Sequence, residues 1–276
     1  MKTFEVTQNC KLKEFTDSVF PQGAFCLSRL LNAKDIKING KRVSSDVCLF
    51  KGDLVTYYTT PAQEAKISHE VILEDENIYI ADKLSGVTSE GLLYELGEGY
   101  FPVHRLDRNT AGLIVFAKTQ EVQEELINAF KEQKVEKIYL AILKNSFIKK
   151  QDRLSAYLIK DAKASEVKIF DKPQRQGVKI LTDYRVLEER GDIALAEIVL
   201  HTGKTHQIRA HMAHIGCPVL GDGKYGDNDL NKKYGLSRQV LLAKKLTLFS
   251  DGKLKYLSGK TFESRQDILF PQKKEN

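Results

Sequence analysis

The sequence predicts an α+β fold made of two units of unequal size. Residues 1–60 carry two helical apolar patterns and one hairpin pattern, whereas residues 70–276 alternate many apolar runs of strand length with few helical ones. Residues 61–69 between them are mostly small and polar and have no apolar period, which is typical of a linker. A chain of 276 residues is long enough for one small domain and one large one.

The first unit begins with two predicted helices over residues 12–31 and continues with a hairpin. Apolar residues recur at helical spacing around the break at Pro21, with Leu12, Phe15 and Val19 before it and Leu27 and Leu31 after it. The segment IKINGKRV, residues 36–43, places an Asn-Gly pair between two short strands, which is the strongest short signal for a type I′ turn. The segment KGDLVTYYTT, residues 51–60, supplies a further strand.

The second unit opens with strands and one well-defined helix. The segment VILEDENIYIAD, residues 71–82, predicts two strands around a turn, and GLIVFAK, residues 112–118, has the length of a buried strand. A helix is predicted over residues 119–134, because Thr119 suits the N-cap and acidic residues precede basic ones, as the helix dipole prefers. The segment EKIYLAIL, residues 136–143, predicts the next strand.

The composition is that of an ordinary globular protein, with 42% hydrophobic and 29% charged residues. No stretch approaches the ~18 consecutive apolar residues of a membrane helix, so we expect a cytoplasmic protein with no membrane partner. The scattered cysteines form no Cys-x-x-Cys pair, which favours free thiols over disulfides or structural zinc. No exposed apolar helix stripe is evident, which favours a monomer.

Basic residues cluster around the second predicted helix and the hairpin of the first unit: Arg29, Lys34, Lys37, Lys41 and Arg42. The net charge of +6 favours a polyanionic partner, although charge alone is explained somewhat better by a solvated face on a small domain. The order of elements over residues 25–55, with Leu-Ser-Arg-Leu-Leu, Ile-Asn-Gly and Gly-Asp, resembles the small RNA-binding domain named after ribosomal protein S-four. That resemblance implies that the five basic residues contact RNA phosphates.

Four of the six histidines lie in the segment HTGKTHQIRAHMAHIGCP, residues 201–218. A metal site formed by His211 and His214 is one interpretation, but no His-Glu-x-x-His is present and we expect no metal. An amphipathic helix that ends at Gly216 explains the segment better. On that helix His206 and Arg209 are neighbours, and a buried arginine needs a carboxylate partner.

The candidate carboxylate is Asp107, in the segment HRLDRNTAGL of residues 104–113. Asp is also an ordinary turn residue, which is the alternative explanation of its place before Thr-Ala-Gly. A hydrolytic glycosidase would use two carboxylates, one as acid and one as nucleophile or base, and the sequence nominates only one.

Three segments together resemble the signature blocks of the RluA family of pseudouridine synthases: HRLDRNTAGLIVFAKT, EKIYLAIL and HTGKTHQIRAHMAHIGCPVLGDGKYG. The resemblance covers residues 70–250 and implies a catalytic domain with a mixed, mostly antiparallel sheet over residues 70–276. It implies that a uridine in RNA, either ribosomal or transfer RNA, is isomerised: the bond from ribose to the uracil nitrogen breaks and the base is rejoined through carbon 5. No cofactor is required.

The resemblance also assigns site residues. Asp107 matches the catalytic carboxylate, acting on the anomeric carbon or on the proton of the adjacent ribose carbon; Arg209 matches its ion-pair partner, and Tyr139 the aromatic that stacks on the target base. Base flipping is then expected, with Arg105 filling the vacated space. The remaining substrate-binding candidates are His104, Leu106, Lys204 and His206.

Four positions depart from the family pattern: Leu84, Ala111, Lys204 and Leu242. Lys204 keeps the charge of the usual Arg but loses its forked geometry, which bears on RNA choice more than on chemistry. A non-catalytic RNA-binding or ribosome-assembly protein is the rival hypothesis, and the three intact catalytic candidates argue against it.

Overall fold

The computed structural model describes residues 1–19, 27, 30–59, 68–161 and 166–274. The strands in these ranges are β1 (Lys2–Glu5), β2 (Cys10–Lys11), β3 (Ile36–Ile38), β4 (Lys41–Val43), β5 (Cys48–Leu49), β6 (Leu54–Tyr57), β7 (His69–Glu74), β8 (Ile78–Lys83), β9 (Phe101–Pro102), β10 (Ala111–Ala117), β11 (Val135–Lys144), β12 (Gln151–Asp161), β13 (Glu166–Phe170), β14 (Val178–Arg190), β15 (Ile193–Leu200), β16 (Leu241–Leu248) and β17 (Lys260–Glu263). The α-helices are Leu12–Val19, Ser89–Leu96, Gln120–Lys131, Gln207–His214 and Asn228–Tyr234, and Lys253–Leu257 is a 3-10 helix.

The first unit contains a small antiparallel sheet with the strand order β1-β6-β3-β4. The predicted hairpin is present, since β3 pairs with β4 and the turn residues Asn39 and Gly40 both have positive φ, 49° and 80°. The helix Leu12–Val19 packs its apolar side on this sheet, and the Tyr57 hydroxyl reaches Thr16 Oγ1 at 2.8 Å inside the core. The helix predicted over the later part of residues 12–31 lies mostly outside the described residues.

The second unit is organised around one large sheet with the order β13-β12-β14-β15-β11-β16-β10-β8-β7. Its neighbouring strands pair antiparallel except β10 and β16, which run parallel at Ala111↔Leu242 and Gly112↔Ala243. The prediction of an α+β fold with a mixed, mostly antiparallel sheet is therefore confirmed.

Both faces of the central strand β10 are buried. Leu113 and Val115 point to one face, where the helix Gln120–Lys131 covers them, and Ile114 and Phe116 point to the other. The face of Ile114 also carries Tyr139 of β11 and the helix Gln207–His214. Residues from all three sequence motifs, Ile114 of β10, Tyr139 of β11 and Ile208 of that helix, therefore pack on one side of the sheet.

The predicted helix over residues 119–134 is present but shorter. Thr119 is its N-cap and accepts a hydrogen bond from the amide of Val122, and the helix ends at Lys131. Gln133 has a φ of 60°, which ends the helical path before Lys134. In the predicted linker, residues 61–67 lie outside the described residues and His69 begins β7.

The two units are connected by contacts from the helix Leu12–Val19 and from β1. The backbone carbonyl of Asp17 accepts a hydrogen bond from Thr88 Oγ1 at 2.7 Å, and its carboxylate pairs with Arg108. Phe4 packs edge-on against Tyr94 with ring centroids 6.0 Å apart. No described helix combines the length and the apolar character needed to cross a membrane.

Candidate active site

A cleft with a volume of about 580 Å³ opens on the sheet face that carries Tyr139. Its walls come from residues 103–110 before β10, from β11, and from the segment that leads into the helix Gln207–His214. Among the described residues that line it, Asp107 is the one carboxylate, whereas the Lys and Arg side chains are Arg105, Lys131, Lys137, Lys179, Lys204 and Arg209. A cationic cleft of this kind attracts polyanions.

Asp107 stands at the start of the turn that leads into β10. The amide of Thr110 donates to the Asp107 carbonyl at 3.0 Å, which closes the turn. Gly112 follows with a φ of 105°, and a Cβ there would lie 2.3 Å from the Ala243 carbonyl oxygen of β16. Only glycine therefore allows β10 to approach β16 closely enough to hold the turn beside the cleft.

A buried lysine holds the backbone of this turn from behind. Lys83 is fully buried, and its Nζ donates to the carbonyl of Val87 at 2.8 Å and to that of Arg108 at 3.1 Å. The Asp107 carbonyl lies at 3.4 Å from the same atom. Burial lowers the pKa of Lys83 to about 7, even though Asp107 opposes the shift.

Arg209 is shared between two carboxylates. Its Nη1 donates to Asp107 Oδ2 at 2.8 Å, while Nε and Nη2 donate to Asp222 Oδ2 and Oδ1 at 2.7 and 2.9 Å. The Asp222 side chain is fully buried, whereas 23% of the Asp107 side chain is exposed. Burial lowers the pKa of Arg209, but the two carboxylates outweigh it and the net pKa is raised, so the guanidinium stays charged.

His206 lies near the Asp107 oxygen that Arg209 does not bind. Its Nε2 lies 3.8 Å from Asp107 Oδ1, and its Nδ1 lies 2.9 Å from the hydroxyl of Tyr225. Because that hydroxyl accepts the amide of Val167, it can donate its own proton to Nδ1, which leaves the ring proton on Nε2, towards Asp107. Burial lowers the pKa of His206, although Asp107 opposes the shift, and this favours the neutral ring.

Tyr139 lies on β11 and lines the cleft, with 8% of the residue exposed. Burial raises the pKa of its phenol above the usual value, and the Asp107 carboxylate adds to the shift. The hydroxyl is therefore protonated at neutral pH. The sequence prediction that Asp107, Tyr139 and Arg209 lie together agrees with this arrangement, while their roles stay predictions.

The other substrate-binding candidates differ in their surroundings. Leu106 is buried, and Ser89 Oγ bonds both its amide and its carbonyl at 3.0 Å. The exposed Arg105 lies 3.3 Å from Glu90, and Lys204 is exposed and also lines the cleft. His104 accepts the amide of Val115 at 3.0 Å and stacks on Phe130.

The basic residues of the first unit lie at its surface rather than in the cleft. Lys37 stands over the ring of Tyr58 at 5.2 Å, Arg42 Nη1 donates to the Lys34 carbonyl at 3.1 Å, and Lys41 is exposed on β4. Arg29 lies outside the described residues. The two histidines of the metal interpretation have protein partners, since His211 contacts Thr182 and His214 pairs with Asp171. Within the described ranges no group of three His, Cys, Asp or Glu residues could hold a metal ion.

Sequence reasoning missed three residues of the site: Lys83, Asp222 and Tyr225. Asp222 and Tyr225 belong to the segment GDGKYG, where a Gly-Asp pair indicates a turn and nothing local indicates that the carboxylate is buried. Lys83 directly follows Asp82 at the end of β8, and a lysine there gives no local sign that it is fully buried.

Comparison with known proteins identifies the family. The profile described as RNA pseudouridylate synthase matches residues 66–214. A ribosomal large subunit pseudouridine synthase C of Rickettsia bellii is 30% identical over 256 residues, which cover 80% of this chain and 85% of the relative. A ribosomal large subunit pseudouridine synthase D of Borreliella burgdorferi is 29% identical and covers 71% and 67% of the two chains.

The solved structure of human RNA pseudouridylate synthase domain containing 1 superimposes with a TM-score of 0.58 at 25% identity, covering 67% of this chain and 80% of the human chain. The family match includes the segments that carry Asp107, Tyr139 and Arg209. The chain therefore belongs to the RNA pseudouridylate synthase family and is an isomerase that forms pseudouridine in RNA.

Proposed function

We propose that this enzyme isomerises uridines in large-subunit ribosomal RNA and that Asp107 is its catalytic carboxylate. The names of the relatives from Rickettsia bellii and Borreliella burgdorferi support ribosomal RNA as the substrate class. The single observation that supports Asp107 is its ion pair with Arg209 inside a cationic cleft that holds no second carboxylate among its described lining residues.

The proposed reaction conserves every atom of the nucleotide. The bond between the ribose anomeric carbon and N1 of uracil breaks, the base turns within the cleft, and a bond forms between the same carbon and C5. The proton on C5 is lost and N1 gains one. Because the base is retained as the second nucleophile and no water is added, one carboxylate suffices where a glycosidase needs two.

Asp107 acts in its ionised form in this proposal, on the anomeric carbon or on the neighbouring ribose proton. Arg209 Nη1 orients the Oδ2 atom, and the neutral His206 ring lies on the Oδ1 side. The bond from Arg209 is charge-assisted and holds the carboxylate in place. The other oxygen keeps its access to the cleft, because 23% of the Asp107 side chain is exposed.

Tyr139 and Arg105 take the roles that a flipped nucleotide requires. The ring of Tyr139 offers a stacking surface beside Asp107, and Arg105 is exposed at the cleft mouth, where its planar guanidinium can occupy the gap in the RNA stack. We assign RNA-phosphate contacts of the first unit to residues 1–60, through Arg29, Lys34, Lys37, Lys41 and Arg42. In this assignment residues 61–69 are a linker and residues 70–276 the catalytic domain.

The experiment compares pseudouridine positions in total RNA from cells with the gene, without it, and with an Asp107→Asn copy. We expect one or more sites in large-subunit ribosomal RNA to disappear without the gene and to stay absent with the Asn copy. Sites lost only from transfer RNA would overturn the substrate class, and sites restored by the Asn copy would overturn the role of Asp107.

A further inference from the structure

Lys137 has a largely buried side chain whose ammonium reaches the cleft, and the described residues supply it no counter-ion. Only 8% of the residue is exposed, and no described carboxylate, carbonyl or hydroxyl pairs with its ammonium. Buried charges in proteins are normally paired, because an uncompensated ion in a low-dielectric site is costly. A lysine in this state within a binding cleft indicates that the missing partner is a ligand.

The side chain of Lys137 shares the cleft with Tyr139. The two residues are two positions apart on β11, so their side chains leave the strand on the same face, about 7 Å apart along the chain. Both line the cleft that holds Asp107. An anion bound at Lys137 would therefore lie one short step along the strand from the ring on which the uracil is proposed to stack.

The groups around Lys137 do not neutralise its charge, so the site favours an anionic ligand. Its Nζ lies 5.6 Å from the centroid of the Phe130 ring, and a ring face stabilises a cation only in part. His104, stacked on the same ring at 4.6 Å, is neutral and uses Nε2 to accept the amide of Val115. The exposed Lys131 adds a second positive charge to this arm of the cleft.

We propose that Lys137 binds a backbone phosphate next to the target uridine and so fixes the position of the flipped nucleotide. This inference rests on the proposed function, because RNA phosphate is the anion that such an enzyme meets in its cleft. It assigns a phosphate site to the arm formed by Lys137, Phe130 and Lys131. Lys137 is then a substrate-positioning residue rather than a member of the reacting group.

The first test measures how kcat/KM depends on salt for Lys137→Gln, Lys137→Arg and a control. The substrate is RNA from cells that lack the gene, labelled with tritium at carbon 5 of uridine, and the RNA class from which the wild-type enzyme releases tritium is used throughout. Lys232→Gln is the matched control, since Lys232 is 80% exposed on the helix Asn228–Tyr234 and does not line the cleft.

We expect Lys137→Gln to raise KM several-fold with a small change in kcat, and to make the slope of log(kcat/KM) against log salt shallower by about 0.7. Lys137→Arg should keep the wild-type slope, as should Lys232→Gln. A Gln variant that is folded, as judged by circular dichroism, and retains the wild-type slope would overturn the inference. An inactive wild-type enzyme would instead point to failure of the proposed function.

A second test identifies the phosphate and does not depend on salt. Single phosphates around the mapped uridine of a synthetic RNA are replaced by uncharged methylphosphonates, and binding is measured for the wild type and Lys137→Met. At one position, the methylphosphonate should weaken wild-type binding by as much as Lys137→Met weakens binding of the unmodified RNA. The same methylphosphonate should not weaken binding by the Met variant any further. Equal losses in both proteins at every position would show that Lys137 contacts no phosphate.

Discussion

Arg209 donates hydrogen bonds from two of its nitrogens to Asp222 and from the third to Asp107. The Asp222 carboxylate in this bidentate pair is fully buried. Its Oδ1 also accepts hydrogen bonds from the backbone amides of Lys224 and Tyr225. The direction of the guanidinium is therefore fixed by Asp222, and the single bond to Asp107 is made by a group already in place. Arg209 therefore stays in place whether or not a substrate contacts Asp107.

Replacing Asp222 by Asn should harm both stability and activity. Asn carries no negative charge and offers Arg209 one acceptor oxygen instead of two, so Asp107 becomes the one charged partner that the described residues give Arg209. Breaking a buried ion pair by removing one partner typically costs about 3–5 kcal/mol. We expect a lower free energy of unfolding, measured in urea. We also expect kcat to fall at least tenfold, which corresponds to a loss of about 1.4 kcal/mol or more of transition-state stabilisation. Asp229→Asn, at a side chain that is 97% exposed, is the control and should change neither quantity. An Asp222→Asn enzyme with wild-type kcat would show that Arg209 needs no second carboxylate.

Asp107→Asn should preserve the fold and abolish turnover. Arg209 keeps its bidentate partner in this variant, and Lys83 still binds the backbone carbonyls of the turn. The amide keeps the shape of the side chain but lacks the charge that either proposed step requires. Tritium release from carbon 5 of labelled uridine in RNA measures turnover, and RNA binding measures integrity. Activity within tenfold of the parent enzyme would contradict the assignment.

Two substitutions at Tyr139 separate stacking from hydroxyl chemistry. Tyr139→Ala should weaken binding of the flipped state by about 1–3 kcal/mol, the usual value of one base stacked on an aromatic ring. Tyr139→Phe keeps the ring, so we expect normal RNA binding but turnover at least ~100-fold slower, the scale of a lost proton-transfer group. The raised pKa of the phenol means that this group enters the reaction protonated. Single-turnover rates at saturating RNA distinguish the two roles. A Phe variant as fast as the parent enzyme would show that Tyr139 only stacks on the base.

His104 should make the fold sensitive to acid. Burial lowers the pKa of its ring from 6.5 to about 3, and Lys137 adds to the shift, so the unfolded chain binds a proton that the folded chain refuses. Stability is therefore highest above pH 6.5 and falls as the pH is lowered towards 3, by at most about 1.4 kcal/mol per pH unit from this group. His104→Gln should lower the free energy of unfolding at pH 8 yet flatten its decline below pH 6.5. An unchanged slope in the variant would mean that the ring is protonated in the folded state.

The basic residues of the first unit should contribute to RNA affinity in the intact protein. Deleting residues 1–60 would also remove Asp17, the partner of Arg108 beside Asp107, so substitutions in the full chain are the cleaner test. The triple change Lys37→Gln, Lys41→Gln and Arg42→Gln should make the salt dependence of RNA binding shallower by about 0.7 for each phosphate that the variant no longer neutralises. Single-turnover chemistry at saturating RNA should persist. A slope equal to that of the wild type would show that these three residues do not contact RNA.

The sequence by itself determined the helices, strands, turns and caps that depend on residues close together along the chain. Helical and strand periods, the Asn39-Gly40 turn and the Thr119 N-cap act over a few residues, and each is present in the structure. Motifs predicted that Asp107 and Arg209 would meet, and they do so at 2.8 Å although 102 positions separate them. The end of the predicted helix near Lys134 was wrong by three residues, because the turn at Gln133 is not encoded by glycine.

Only the tertiary structure decided which charges are buried and what they pair with. Lys83, Lys137 and Asp222 look like surface residues in the sequence, since Lys and Asp are mostly exposed in proteins. The large sheet brings β8, β10 and β11 together with the segment before the helix Asn228–Tyr234. That packing fully buries Lys83 and Asp222 and leaves Lys137 largely buried, with its ammonium at the cleft. Burial and long-range pairing are properties of the packed sheet as a whole, because the cost of burying a charge depends on atoms from distant parts of the chain, which no local pattern specifies.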